Sequence, residues 1–222
     1  MRFQLTLNCE PPQYLPFNYQ YPLSAWIYKT FNEGDPAFAE WLHTHGYTNG
    51  SHHYKLFTFS WLNIPKVRPM PEQQCLAIDS DTVSFVFSLP MEEAAETFIK
   101  GLFQHQLCEL GAGSLRARFR VQQVEKLPVP ALGNTASFRC LSPIVVSRAQ
   151  PENGKLKAKY LSPEDEGYQR QLFNNLIRRY QTAVQYQYQA SAPAYELLDG
   201  PDSESFDFQL LSKPRSKLVT VK

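Results

Sequence analysis

Apolar and polar residues alternate at the start of the chain, which predicts an opening β-strand. Over residues 1–9, Phe3, Leu5 and Leu7 fall on one face, because successive side chains of a strand point to opposite sides. The proline-rich stretch 11–16 that follows predicts an extended loop. The chain is therefore expected to begin with one half-buried strand and a surface connection.

Two helices are predicted next. Residues 22–31 place apolar side chains at helical spacing. The second helix begins with Asp35 as its N-cap and Pro36 at its first position, runs through Leu42, and ends at Gly46. Both helices are short, and the second leads directly into a polar loop.

The rest of the first half predicts strands and one more helix. Residues 54–62 are rich in aromatic side chains and predict a strand, while 74–78 and 83–89 flank a polar turn and predict a hairpin. Residues 91–104 carry one apolar stripe at helical spacing, and 115–124 predict a last strand. The order strand, helix, strand, strand, helix, strand is the split β-α-β pattern of a ferredoxin-like, or RRM-like, domain.

The second half begins the same pattern again. Residues 126–130 predict a linker, which divides the chain into domains at 1–126 and 131–222. The predicted elements after it are strands at 137–148 and 155–161, a long helix at 163–189, and strands at 205–211 and 216–221. The fold class is therefore α+β with two tandem ferredoxin-like domains, the second lacking its last helix and strand at the C-terminus.

The incomplete sheet predicted for the second domain indicates that the protein associates with another chain. The last two strands would expose an apolar face and an open edge, both liabilities for a monomer. We expect a second copy or a partner chain to cover that surface, with a homodimer as the default. The side chains concerned are Leu210, Leu211, Leu218 and Val219.

Composition adds few constraints. The chain has 222 residues, of which 43% are hydrophobic and 19% charged, as in ordinary folded proteins. No apolar run of about 18 residues is present, so no membrane-spanning helix is expected, and the N-terminus lacks a secretory signal. The four cysteines contain no C-x-x-C pair and suit a reducing compartment. A cytoplasmic protein is expected.

Basic residues are concentrated in the second half. Residues 111–222 hold 16 Lys and Arg against 10 Asp and Glu. Alternate positions on a strand share one face, so two triplets would form rows of cations about 6–7 Å apart, close to the phosphate spacing of a single strand. The rows are either an RNA-binding surface or a solvated face of the sheet. The candidate RNA-binding residues are Arg116, Arg118, Arg120, Arg139, Arg148, Lys155, Lys157 and Lys159.

Four of the five histidines lie within eleven residues: His43, His45, His52 and His53, with Lys55 behind them. Histidine exchanges protons near neutral pH. A zinc site is disfavoured because no Cys, Asp or Glu lies nearby at ligand spacing to complete four ligands. His45, His52 and His53 are most simply surface polar residues. His43 follows an apolar pair at a helix end, which anchors its backbone while its ring can face a cleft.

The chain resembles the CRISPR-associated repeat-specific endoribonucleases of the RAMP superfamily. The combination of a Leu-His pair and a Lys-Leu-Phe-Thr-Phe-Ser segment at this spacing is the most specific feature. The segments that carry the resemblance are 1–3 (MRF), 19–28 (YQYPLSAWIY), 41–43 (WLH), 54–60 (YKLFTFS), 98–102 (FIKGL) and 141–145 (LSPIV).

This resemblance implies two tandem ferredoxin-like domains and cleavage of precursor CRISPR RNA within each repeat. The family's active-site residues map onto Tyr28, His43 and Lys55. The implied chemistry is attack of a 2′-hydroxyl on the adjacent phosphate, without metal or cofactor, leaving a 2′,3′-cyclic phosphate. His43 would act as general acid or base, Tyr28 would position or deprotonate the nucleophile, and Lys55 would stabilise the charge of the transition state.

One departure from the family leaves alternatives open. The family has a glycine-rich, RNA-contacting loop near its C-terminus, whereas no glycine follows Gly200 here. The alternative functions are a repeat-RNA binding protein without turnover and a structural RAMP subunit of a CRISPR effector complex. Repeat RNA is the expected partner in each case.

Overall fold

The structure is a computed structural model of the chain, and it describes residues 1–131, 137–152 and 154–188. The strands are β1 (Arg2–Asn8), β2 (Gln13–Pro16), β3 (Tyr47–Asn49), β4 (His52–Tyr54), β5 (Thr58–Phe59), β6 (Val67–Met70), β7 (Cys75–Ile78), β8 (Thr82–Ser88), β9 (Leu107–Ala112), β10 (Leu115–Lys126), β11 (Val146–Glu152) and β12 (Lys155–Leu161). The helices are α1 (Gln20–Gly34), α2 (Pro36–Thr44), α3 (Glu92–Gln104) and α4 (Tyr168–Tyr188), with a 3-10 turn at Pro71–Gln73.

The chain separates into two compact units, Met1–Ser142 and Pro143–Lys222. The predicted domain bounds, 1–126 and 131–222, stay predictions. No helix among the described residues is both long enough and apolar enough to cross a membrane.

A five-stranded antiparallel sheet organises the first unit, in the order β5-β8-β1-β10-β9. The chain passes from β1 through α1 and α2 to β5 and leaves room for β8 between them. It then passes from β8 through α3 and β9 to β10, on the other side of β1. These are two interleaved split β-α-β units, so the predicted ferredoxin-like fold is confirmed for this unit.

The two main helices cover the apolar face of this sheet. Leu5 and Leu7 of β1 and Phe85 and Phe87 of β8 are at most 2% exposed. Trp26 of α1 meets Phe85 edge-on at 6.3 Å between ring centroids, and it meets Phe98 of α3 at the same distance. The alternation of the strands and the stripe of the helices thus bury one common core, as their patterns predict.

Three predictions about the strands of this unit are wrong. Residues 13–16 are not loop but form β2, which pairs with β7. The predicted hairpin of 74–78 and 83–89 does not exist, because β7 pairs with β2 and β6 in a separate sheet while β8 pairs with β1 and β5. The predicted strand 54–62 is broken, because Leu56 has a positive φ of 49°. Within 54–62 only Tyr54, the last residue of β4, and the two residues of β5 lie in strands.

The described part of the second unit is a β-hairpin and a helix. β11 and β12 pair in register from Val146–Leu161 to Glu152–Lys155. Their base packs on α4 through a small apolar cluster that includes Tyr168 and Leu172. The predicted strand 137–148 is wrong in extent, since strand begins at Val146. The predicted strands 205–211 and 216–221, with Leu210, Leu211, Leu218 and Val219, lie outside the described residues.

Candidate active site

Tyr28 is placed by the core-facing stripe of α1. Leu23, Ile27 and Phe31 are fully buried along that stripe, and Tyr28 lies at its edge, half-buried. Its ring contacts Phe57 at 5.5 Å between centroids, nearly perpendicular. The helix therefore fixes the ring, and partial burial raises the pKa of the Tyr28 hydroxyl above its usual value.

His43 is placed by α2. The predicted cap is confirmed: the Asp35 carboxylate accepts a hydrogen bond of 3.1 Å from the Phe38 amide, and proline follows Asp35 in the helix. Leu42 is fully buried, and the next side chain, His43, is exposed at the rim. The helix end thus presents an imidazole to solvent on an anchored backbone.

Tyr28 and His43 lie side by side. Their ring centroids are 5.6 Å apart with an interplanar angle of 80°. Edge-to-face packing of this kind favours one relative orientation of the two rings. A phenol and an imidazole with this spacing can both reach one bound phosphodiester group, so the pair can carry out proton transfer there.

Lys55 reaches the same helix end from the other side. β3 and β4 form a hairpin that returns the chain to α2, and Lys55 follows it directly. Its ammonium donates hydrogen bonds to the backbone carbonyls of Leu42 and of His43, the second at 2.6 Å. Burial lowers the pKa of the half-buried Lys55 side chain. The three residues that the resemblance implies are therefore brought together.

The other three clustered histidines are exposed and lie on the hairpin or beside it. His45 Nδ1 is 2.8 Å from the Thr44 hydroxyl, and His53 Nδ1 is 3.2 Å from the His45 carbonyl oxygen. The His52 ring lies over Tyr54 with centroids 6.2 Å apart. Among the described residues, no three His, Cys, Asp or Glu side chains are grouped in a way that could hold a metal ion.

The arginine row of β10 lies elsewhere. Arg116, Arg118 and Arg120 are exposed and alternate with buried Ala117 and Phe119, so they share the face that turns away from the core. β8 and β1 separate β10 from β5, which directly follows Phe57 of the site. The row therefore lies on the face of the sheet opposite to the one that α1, with Tyr28, covers.

An acidic residue partly neutralises that row. Glu109 of β9 is 2.8 Å from Arg118 and 4.0 Å from Arg116. Sequence reasoning missed Glu109 as part of this surface because it did not predict β9. Arg139, exposed in an irregular segment, belongs to neither row.

The lysine row forms on β12 as the alternation predicts. Lys155, Lys157 and Lys159 are all exposed on one strand, and Arg148 of β11 lies directly opposite Lys159. Glu152 pairs with Lys157 at 3.1 Å. The hairpin therefore presents four cations and one acid on one face.

Three residues that shape the active site escaped sequence reasoning. Gly46 has a positive φ of 67°, and a Cβ there would lie 3.3 Å from Lys55 Nζ and 2.6 Å from the Tyr54 carbonyl oxygen. Leu56, at φ 49°, turns the chain after Lys55. Phe57 contacts both Tyr28 and Phe31. Gly46 was visible in sequence only as a helix end, and Leu56 and Phe57 only as members of the Lys-Leu-Phe-Thr-Phe-Ser segment, which assigned them no role.

Solved structures share this fold. A Cas6-related protein from Pyrococcus furiosus aligns with a TM-score of 0.69 and 28% identity over 83% of this chain and 71% of its own. A structure described as an RAMP protein binding different RNA substrates aligns with a TM-score of 0.66 and 30% identity over 81% of this chain and 70% of its own.

Sequence comparison agrees with the structural one. The CRISPR-associated endoribonuclease Cas6 1 of Methanocaldococcus jannaschii is 29% identical over 82% of this chain and 66% of its own length. The chain spans about two thirds of the length of the curated relatives it matches. The family model for the N-terminal part of CRISPR-associated protein Cas6 matches residues 14–125, and the model for the C-terminal part matches residues 125–222. The chain belongs to the Cas6 family of CRISPR-associated proteins.

Proposed function

We propose that this chain is an endoribonuclease that cleaves precursor CRISPR RNA within its repeats. The observation that carries the proposal is the convergence of Tyr28, His43 and Lys55 at one end of α2. The names of the relatives support it, since one is a CRISPR-associated endoribonuclease and another is an RAMP protein that binds RNA.

The reaction is transfer of the phosphate from the 5′-oxygen of the next nucleotide to the neighbouring 2′-hydroxyl. One group must take the 2′-hydroxyl proton and one must protonate the departing 5′-oxygen. His43 is the group for one of these transfers, because its ring is exposed and imidazole exchanges protons near neutral pH. The products are a 2′,3′-cyclic phosphate and a free 5′-hydroxyl.

Tyr28 acts as a hydrogen-bond donor in this scheme. Burial raises the pKa of its hydroxyl, which favours the protonated phenol that can donate a hydrogen bond. A phenol held against His43 and Phe57 can orient the attacking hydroxyl or a phosphate oxygen. The sequence left positioning and deprotonation both open, and the direction of this pKa favours positioning.

Cleavage of repeat RNA in excess EDTA tests this function. We expect the cleavage rate to be unchanged by the chelator, because side chains perform both proton transfers, and the 5′ fragment to end in a 2′,3′-cyclic phosphate. Mass spectrometry of the fragment gives its terminus. Loss of cleavage on chelation, a 3′-hydroxyl product, or tight binding of repeat RNA without cleavage would each overturn the proposal. The last outcome would favour a binding protein.

The lysine row and the arginine row are proposed to bind the RNA backbone. The lysine row should contribute more to the affinity than the arginine row. Replacing Lys155, Lys157 and Lys159 together by Gln should weaken binding of repeat and unrelated single-stranded RNA alike. Each lost phosphate contact should lower the salt-dependence slope by about 0.7. Replacing Arg116, Arg118 and Arg120 by Gln should change the slope less, because Glu109 already engages two of them.

Fluorescence anisotropy at several salt concentrations measures both the affinity and the slope. Lys100→Gln is the control, since Lys100 is an exposed helix residue that belongs to neither row. If both triple variants bind with unchanged affinity and slope, the rows are solvated faces of their strands and the RNA lies elsewhere.

A further inference from the structure

We propose that Lys55 is a positioning residue, which holds His43 in place by binding the carbonyls at the C-terminal end of α2. This inference rests on the proposed function and changes one role within it. The sequence pattern and the resemblance give Lys55 the role of stabilising the negative charge that forms in the transition state. The geometry points instead to the backbone that carries His43.

The hydrogen bonds at the end of α2 carry this inference. The last carbonyls of a helix have no partner within the helix and need one from outside. The Trp41 carbonyl accepts from the amides of both His45 and Gly46, at 2.9 Å each. The carbonyls of Leu42 and His43 accept from the Lys55 ammonium. A side chain twelve residues along the chain thus completes the end of this helix.

The charge of Lys55 suits this position. A helix C-terminus carries a partial negative charge, which favours a nearby cation. No ion pair among the described residues includes Lys55, and burial is the cause that lowers its pKa. The two carbonyls are therefore the groups that compensate for the loss of water around the ammonium. They occupy two of its three donor hydrogens.

The local backbone is built to admit this side chain. Gly46 lies close to the Lys55 side chain: a Cβ added at Gly46 would be 3.3 Å from both Cδ and Nζ of Lys55. Leu56 adopts a left-handed conformation, which costs a leucine roughly 1–2 kcal/mol, and its buried side chain anchors that turn. Two constrained residues thus flank the path by which Lys55 reaches α2.

The consequence is a division of roles within the site. Tyr28 and His43 present their rings to the RNA, and Lys55 fixes the helix end from which the His43 ring projects. A catalytic group displaced by about 1 Å can lose on the order of 10²-fold in rate. Lys55 can therefore matter for cleavage without touching the phosphate.

The test compares Lys55→Met with wild-type protein, first without RNA. We expect the side-chain NMR signals of the His43 ring to shift or broaden in the variant, with the amides of His45 and Gly46 exchanging faster. The His43 signals are assigned as those that disappear from the spectrum of His43→Ala. The ring signals of His105, at the end of α3, serve as the internal reference. Unchanged His43 signals and unchanged amide exchange would overturn the inference.

The second half of the test uses RNA. Lys55→Met should lower the single-turnover cleavage rate by about 10- to 100-fold, while the affinity for repeat RNA and its salt slope stay at wild-type values. A slope reduced by about 0.7 would instead mean a lost phosphate contact and would overturn the inference. Lys29→Met, at an exposed lysine that follows Tyr28, is the matched control for loss of charge.

Two further variants keep the outcome decisive. If Lys55→Met fails to fold, Lys55→Gln keeps an uncharged NH2 group that can donate to the carbonyls and should show smaller changes of the same kind. Lys55→Arg keeps the charge but carries it on a longer side chain with a planar guanidinium, which presents its donors to the two carbonyls in a different geometry, so we expect it to cleave as slowly as Lys55→Met. Wild-type cleavage by Lys55→Arg with perturbed His43 signals would overturn the inference. If the wild-type protein cleaves no repeat RNA, the proposed function fails, while the NMR and exchange measurements still decide what Lys55 does.

Discussion

Replacing His43 by Ala should lower the rate of repeat-RNA cleavage by about 10²- to 10⁴-fold, the usual contribution of general acid–base catalysis. The side chain is exposed, so its removal leaves no cavity and should change the stability little. Binding of the RNA should persist, because the imidazole acts in the transition state. Single-turnover cleavage under excess protein measures the rate, and anisotropy measures the binding.

The matched control is His45→Ala. His45 is also an exposed histidine at the end of α2, two residues away, and its ring bonds to Thr44 rather than contacting Tyr28. We expect His45→Ala to cleave at close to the wild-type rate. RNA with a single 2′-deoxyribose before the cleaved phosphate should resist the wild-type protein, because it lacks the nucleophile. Full cleavage by His43→Ala, or cleavage of the deoxy substrate, would contradict the mechanism.

The sequence predicted which residues come together in the site better than it predicted the contacts that each of them makes there. The motif resemblance named Tyr28, His43 and Lys55, and the structure brings them together. The direction in which the Lys55 ammonium points depends on a hairpin, a left-handed leucine and a glycine contact. Those features depend on tertiary structure, and no local pattern of residues encodes them.

The elements of the fold also differ in how well the sequence predicts them. β1, α1 and α3 follow from alternation and helical spacing, which are local patterns that burial enforces. The pairing of β7 with β2 joins segments about 60 residues apart, so a pattern read within a short window cannot specify it. A nearby turn wrongly suggested a hairpin with β8 instead. Because β9 was not predicted, the ion pair between Glu109 of β9 and Arg118 was not predicted either. This pair reduces the positive charge of the arginine row.

A single methyl group at Gly101 should destabilise the first unit strongly. α1 and α3 cross so closely that a Cβ on Gly101 would lie 1.9 Å from the Thr30 carbonyl oxygen, and one on Gly34 would lie 2.0 Å from the Thr97 carbonyl oxygen. Both obstacles are backbone atoms, so no side-chain rotation relieves them. The helices must move apart and loosen the packing of Trp26 against Phe98.

We expect Gly101→Ala to lower the free energy of unfolding by about 3 kcal/mol, the upper end of the usual cost of overpacking a core. That corresponds to roughly 6–12 °C in the thermal midpoint of a domain of this size. Ala is favoured over Gly within a helix by about 1 kcal/mol, which opposes the effect without cancelling it. Differential scanning calorimetry and chemical denaturation measure the change.

Lys100→Ala, on the exposed side of the same helix, is the control and should change the stability by less than about 0.5 kcal/mol. Equal or greater stability of Gly101→Ala would mean that helix propensity outweighs the close crossing, and that the two helices separate at little cost. The crossing also bears on the site, because Thr30 is two residues from Tyr28 on α1. A movement of α1 away from α3 that α2 does not follow would shift the phenol relative to His43. We therefore expect the folded fraction of Gly101→Ala to cleave repeat RNA more slowly than the wild-type protein.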